Sequence, residues 1–142
     1  MLPGRKSRHQ LIHEVFASPP ESGVAAAVGI ALDRWAHAVR QFEPLIGVVS
    51  VNLIFARCID LNRQLFPWLD PIKPVPQMRS PLADHGINLM AQTPIEVVSA
   101  SRALLVTFVE LLDALIGERL TSVYLRPVLE ASASNKEQAG ER

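Results

Sequence analysis

Hydrophobic residues recur at steps of three and four along four stretches of the chain, the spacing that places them on one face of an α-helix. In the first, about residues 21–42, Val24, Val28, Ala31, Leu32, Trp35, Val39 and Phe42 make one stripe. Asp33, Arg34, His37, Arg40 and Gln41 fall mainly off it. In the second, about residues 45–66, the stripe is Val51, Ile54, Phe55, Cys58, Leu61 and Leu65. Val48, Val49, Leu53 and Ile59 widen it, and charges begin only at Arg57, so this stretch is predicted to be the central helix. A third helix, 94–116, is predicted to bury Ile95, Val98, Leu105, Phe108, Leu112 and Leu115, and a fourth, 118–130, carries Leu120, Val123, Tyr124 and Val128.

Prolines, glycines and caps punctuate this pattern. Pro44 disfavours helical geometry at Glu43 and is expected to separate the first two helices. Ser18 followed by Pro19, or Ser22, can start the first helix. Gly29 lies inside that helix, where a close helix–helix crossing is the usual reason for a glycine. Between residues 67 and 81 stand Pro67, Pro71, Pro74, Pro76 and Pro81, which predicts an extended connection pinned by Trp68, Leu69, Ile72 and Val75. A short helix over 82–91, with Asp84 as its cap, follows. Thr93-Pro94-Ile95-Glu96 is the clearest local signal: a capping threonine, a proline at the first position and a glutamate placed to complete a capping box. Gly117 is the expected stop of the third helix, and Pro127 is expected to kink or end the fourth.

No stretch alternates with a period of two. The fold class is therefore all-α: a four- to five-helix bundle built from two helical hairpins joined by a proline-rich crossover. Residues 1–17 read as a basic N-terminal arm in which Leu11, Ile12, Val15 and Phe16 can dock a short helical turn. Residues 18–130 read as one helical domain, and 131–142, which lack any large apolar residue, as a disordered tail. Leu45-Ile46-Gly47 and Leu115-Ile116-Gly117 recur 70 residues apart, each near a helix junction, which suggests a duplicated hairpin.

Composition narrows the function classes. The chain has 142 residues, of which 49% are hydrophobic and 20% charged, enough to build one packed domain. Lys+Arg and Asp+Glu are 14 each, so the formal charge is zero, unlike that of a general nucleic-acid binder. A single cysteine excludes an internal disulfide framework and a cysteine-rich zinc site. The most apolar window, residues 44–56, is 13 residues long and contains Ser50 and Asn52, whereas a membrane span needs about 20 apolar residues. Residues 103–116 contain Glu110 and Asp113, and residues 1–16 lack the apolar run of a signal peptide. A cytoplasmic protein with no membrane span is expected. The pattern resembles that of small bacterial helical proteins without singling out a family.

Candidate chemistry is sparse. His9 and His13 would share a helix face, as a two-histidine metal site requires, but Gln10 stands where the catalytic zinc pattern has glutamate, and no third ligand is evident. Two solvated histidines are the plainer reading. Cys58 falls on the apolar stripe and reads as an inert core thiol. Ser80, Asp84 and His85 lie in or near a loop without any nucleophile-elbow pattern. No glycine-rich phosphate loop occurs. Arg5, Lys6 and Arg8 are too few to diagnose an anionic partner, and Pro71-Ile72-Lys73-Pro74, formally PxxP, reads as a stiff connector.

His37, predicted to be exposed in mid-helix, is followed three positions on by Arg40. This resembles histidine phosphotransfer domains, four-helix bundles with an exposed histidine near a basic residue. The resemblance implies a phosphoacceptor role for His37. The sequence departs from those domains at Gln41, where a glycine is usual, and from histidine-kinase helices at Ala38 and Phe42, where glutamate and proline are usual.

Arg57, Arg63, Arg102, Arg119 and Arg126 edge apolar helices, as interface arginines do. The wide apolar stripes exceed what a small bundle can bury, and the excess points to a subunit contact. The leading reading is a non-enzymatic protein–protein interaction module, a homodimer that regulates or scaffolds a partner as signalling adaptors do. Phe55, Arg57, Arg119, Tyr124 and Arg126 are the candidate contact residues. The alternatives are phosphotransfer through His37 and a bundle binding an apolar small ligand near Trp35 or Trp68. Nothing calls for a cofactor or a metal.

Overall fold

The computed structural model describes residues 7–17, 23–71 and 81–140, with side chains described for all of these except residue 9 and residues 131–140. Ser18, Pro19 and Ser22, the stretch 72–80 with Ser80 and all of the PxxP motif but Pro71, and the arm residues Arg5 and Lys6 lie outside the described residues. The described residues form six helices and no strand: α1 Arg8–Val15, α2 Gly23–Ile46, α3 Val48–Asn62, α4 Pro81–Met90, α5 Pro94–Ile116 and α6 Glu118–Gly140. The all-α class holds, with six helices in place of four or five.

The break expected at Pro44 does not occur, and Pro127 does not end the last helix. α2 runs through Pro44 and α6 through Pro127. Each proline removes one hydrogen bond to the carbonyl four residues earlier. Pro44, Arg40, Pro127 and Val123 are all exposed, so water can hydrate the freed carbonyls. The first break falls instead at Gly47 (φ +91°, ψ 155°), while α5 stops at Gly117 (φ +90°, ψ 151°) as expected; both glycines lie in a backbone region essentially closed to other residues. Each glycine ends one long helix and starts the next. Its N–H reaches Glu43 O or Asp113 O (2.8 and 2.9 Å), and its carbonyl accepts from Val51 or Thr121 (both 3.1 Å). α6 also continues over the stretch expected to be disordered, as far as Gly140. Its alanine, glutamate, lysine and glutamine residues favour helix without needing a core.

The duplicated hinges extend to a duplicated packing pattern. At an offset of 70, Val15/His85, Ala27/Val97, Ala31/Ser101, Trp35/Leu105, Ala38/Phe108, Phe42/Leu112, Val51/Thr121, Phe55/Leu125, Cys58/Val128 and Ile59/Leu129 are buried in both members. The repeated unit is thus three helices, α1–α3 and α4–α6, rather than a hairpin. The units interlock: α3 packs across on α5 as α6 does on α2, and α4 packs on α2 as α1 does on α5. Gly86 allows that approach, since a Cβ there would meet Leu32 Cδ1 at 2.8 Å.

The long helices α2 and α5 form the centre, where α3 was expected. Phe108 meets Trp35 and Phe42 edge-on (centroids 5.2 and 5.9 Å), and the small Ala38 between them leaves room for its ring. Phe42, five residues before Gly47, also meets Tyr124, seven residues after Gly117 (6.0 Å). At 1.5 Å per residue, both hinges therefore lie at one end, and α2 and α5 point the same way.

Several expected faces are rotated. Val48, Val49, Leu53, Leu61 and Leu65 of the second stripe are exposed, as are Ile95, Leu115, Leu120 and Val123. Val97, Leu104, Leu125 and Leu129 are buried instead. Gly29 is exposed with open space around it, so no close crossing explains it.

Thr93 caps α5 as expected, accepting from Glu96 N (3.2 Å), with Pro94 first in the helix. Glu96 does not close the capping box; its Oε2 accepts from Trp68 Nε1 (2.9 Å). A complete capping box forms instead at α1, between Ser7 and Gln10. Asp84 lies within the first turn of α4, not at its cap.

Candidate functional site

The hinge end gathers apolar side chains from both units. Around Gly47, Val48 (54% exposed), Val49 (72%) and Leu53 (65%) face outward, with Leu45 and Ile46 half-buried beside them. Around Gly117, Leu115 (59%), Leu120 (38%) and Val123 (56%) do the same, with Ile116 half-buried. Leu45/Leu115, Ile46/Ile116 and Leu53/Val123 match at the 70-residue offset, so the two units present similar chemistry to solvent. Exposed apolar side chains concentrated in this way mark a contact surface more often than scattered ones do.

The expected contact residues divide. Arg119 is exposed two residues beyond the hinge, and Tyr124 is half-buried against Phe42. Arg57 and Arg126 are exposed, the latter 4.0 Å from Glu130 in an exposed i,i+4 pair that contributes little. Phe55 is 2% exposed and packs between Trp35 (5.0 Å) and His85 (5.3 Å), so it belongs to the core and not to a contact surface. Val48, Val49 and Leu53 carried a sequence signal, their excess over a single stripe; Leu120 and Val123, expected on the apolar face of the last helix, carried none.

His37 is half-buried on α2 rather than exposed. Trp35 is fully buried among Phe16, Phe55 and Phe108, its Nε1 without a partner among the described residues. Trp68 packs on Phe66 (6.0 Å) and bonds Glu96, 21 residues and about 30 Å of helix before Gly117. His13 is exposed, and the side chain of His9 lies outside the described residues; among the latter no group of three or more His, Cys, Asp or Glu is arranged to hold a metal.

Two groups with reactive potential are buried in unreactive forms. Burial pushes the Cys58 thiol up to about 12, against a backbone hydrogen bond that acts the other way, so it stays protonated at neutral pH. His85, expected in a loop, sits inside α4 at 2% exposure, its ring edge-on to Phe55 and Nε2 without a partner among the described residues. Burial lowers its pKa to about 4, so it is neutral at pH 7.

Comparison with protein-family models, with curated proteins and with solved structures found no match. Among the described residues no helix is long and apolar enough to cross a membrane.

Proposed function

We propose that this chain is a non-enzymatic helical interaction module that self-associates through its hinge end. One observation carries the reading: exposed apolar side chains from both three-helix units, Val48, Val49 and Leu53 with Leu115, Leu120 and Val123, meet at the same end of the molecule. Covering them removes apolar surface from water at about 25 cal/mol per Å². Arg119 and Glu118, both exposed at the α6 hinge, supply a polar rim. The buried, neutral states of Cys58 and His85 agree with a role in packing rather than in chemistry.

Sedimentation velocity between roughly 10 and 100 μM tests this reading. The wild type is expected to run as a dimer. The variant Leu53→Lys/Val123→Lys, altered at exposed positions, is expected to run as a monomer with an unchanged melting curve. A wild type that stays monomeric across that range refutes the proposal.

A further inference from the structure

We infer that the groove between α1, α3 and α5 is a binding site for a small apolar carboxylate that also carries an N–H or O–H donor. The groove has a volume of about 290 Å³ and is lined by Ile12, His13, Asn62, Leu65, Arg102, Ala103, Val106 and Thr107. That volume sits at the small end of ligand pockets, which start near 300 Å³. It lies away from the hinge residues on which the self-association reading rests, and the two stand or fall separately.

Its chemistry is graded from floor to mouth. Asn62 is a buried polar side chain, 5% exposed. Its Nδ2 donates to Cys58 O (2.8 Å) and to Thr107 Oγ1 (3.0 Å), while the Thr107 hydroxyl donates to Ala103 O (3.0 Å). This network fixes the amide orientation, because both neighbours of Nδ2 need a donor. Both amide hydrogens are thereby used, and Oδ1 is left as an acceptor with no partner among the described residues. A ligand donor would satisfy it. Ile12, Leu65, Ala103 and Val106 supply the apolar walls.

At the mouth, Arg102 Nε donates to His13 O (2.5 Å), which anchors one edge of the guanidinium on the last turn of α1. Its two Nη groups have no hydrogen-bond or ion-pair partner among the described residues. A guanidinium held by Nε presents its Nη donors in the fork that a carboxylate matches. The charge of the mouth selects an anion, the walls select an apolar body, and Asn62 selects a donor on that body.

Indole-3-acetate is a probe with all three features. Tryptophol lacks the carboxylate, and 1-methylindole-3-acetate lacks the N–H. A ¹H–¹⁵N NMR titration of the full chain reads both binding and place. Saturable shifts centred on the Asn62 side-chain amide, Thr107 and Arg102 are expected for indole-3-acetate, with at least fivefold weaker binding of tryptophol and a clear weakening for the N-methyl analogue. Arg102→Gln is expected to reduce the acid's affinity to that of tryptophol. The set of analogues decides the matter on the unaltered protein even if that variant loosens α1. Absence of saturable shifts at 5 mM, shifts centred elsewhere, or equal binding of acid and alcohol would overturn the assignment.

Discussion

Acidification should destabilise this protein through His85, and the size of the effect follows from its surroundings. The imidazole is 2% exposed, lies edge-on to Phe55, and carries an Nε2 with no partner among the described residues. Protonation in place would bury an unpaired charge, so burial lowers the pKa from 6.5 to about 4. In the unfolded chain the same residue protonates near 6.5. Above pH 6.5 both states are neutral and the histidine adds no pH dependence. Between pH 6.5 and 4 the unfolded state binds the proton and the native state does not, so stability falls as pH falls. Below about 4 both are protonated and the loss levels off. At 1.36 kcal/mol per pH unit, the full difference is about 3 kcal/mol, of which about 2 kcal/mol is lost by pH 5. That is a large part of the 5–15 kcal/mol typical of a domain. Urea unfolding followed by circular dichroism at pH 7.5, 6.5, 5.5 and 5.0, on the wild type and on His85→Leu, isolates the contribution. Carboxylates titrate alike in both, so the gap between the two stability curves should shift by about 2 kcal/mol in favour of the leucine variant from pH 7.5 to pH 5.0. Parallel curves would refute the reasoning.

Three further outcomes are open to the same unfolding assay. Gly47→Ala and Gly117→Ala are each expected to lose about 1–3 kcal/mol from backbone strain alone, since a Cβ at either site meets nothing within 4 Å; Gly29→Ala, in ordinary helix and open space, should instead gain about 0.5–1 kcal/mol. Ser101→Ala is expected to be neutral or stabilising by up to about 1 kcal/mol, because its buried Oγ has no partner among the described residues and its counterpart in the other unit is Ala31; a loss above that size would contradict it. Phe108→Ala is expected to cost about 3–5 kcal/mol by emptying the seam between Trp35 and Phe42, and a cost below 2 kcal/mol would show that the seam collapses without it.

Local signals were legible wherever one residue type decides the backbone. Thr93-Pro94 starts α5 because a hydroxyl acceptor and a preset φ act within one turn. The repeated Leu-Ile-Gly triplets mark two hinges because only glycine accepts their dihedral angles. The candidate contact end was legible only as a surplus: Val48, Val49 and Leu53 exceed one helical stripe, but periodicity cannot say which side of a wide stripe is covered. Phe55 shares that helix and was a candidate for the surface, yet its direction toward Trp35 depends on where α2 lies.

Residue order alone was enough for the helical class, the turn at Gly117 and the 70-residue echo, since each rests on contacts within a few residues or on direct comparison of the two halves; the turn at Gly47 was masked by the nearby Pro44. Three-dimensional packing settled that α2 and α5 form the centre, that the units exchange their short helices, and that His85 is buried while Leu53 is not. Those outcomes depend on side chains meeting across 30 or more residues of chain, as Phe55 meets His85, Asn62 meets Thr107 and Arg8 meets Asp113. Burial is a property of the partner surface as much as of the residue, and no local pattern encodes the partner.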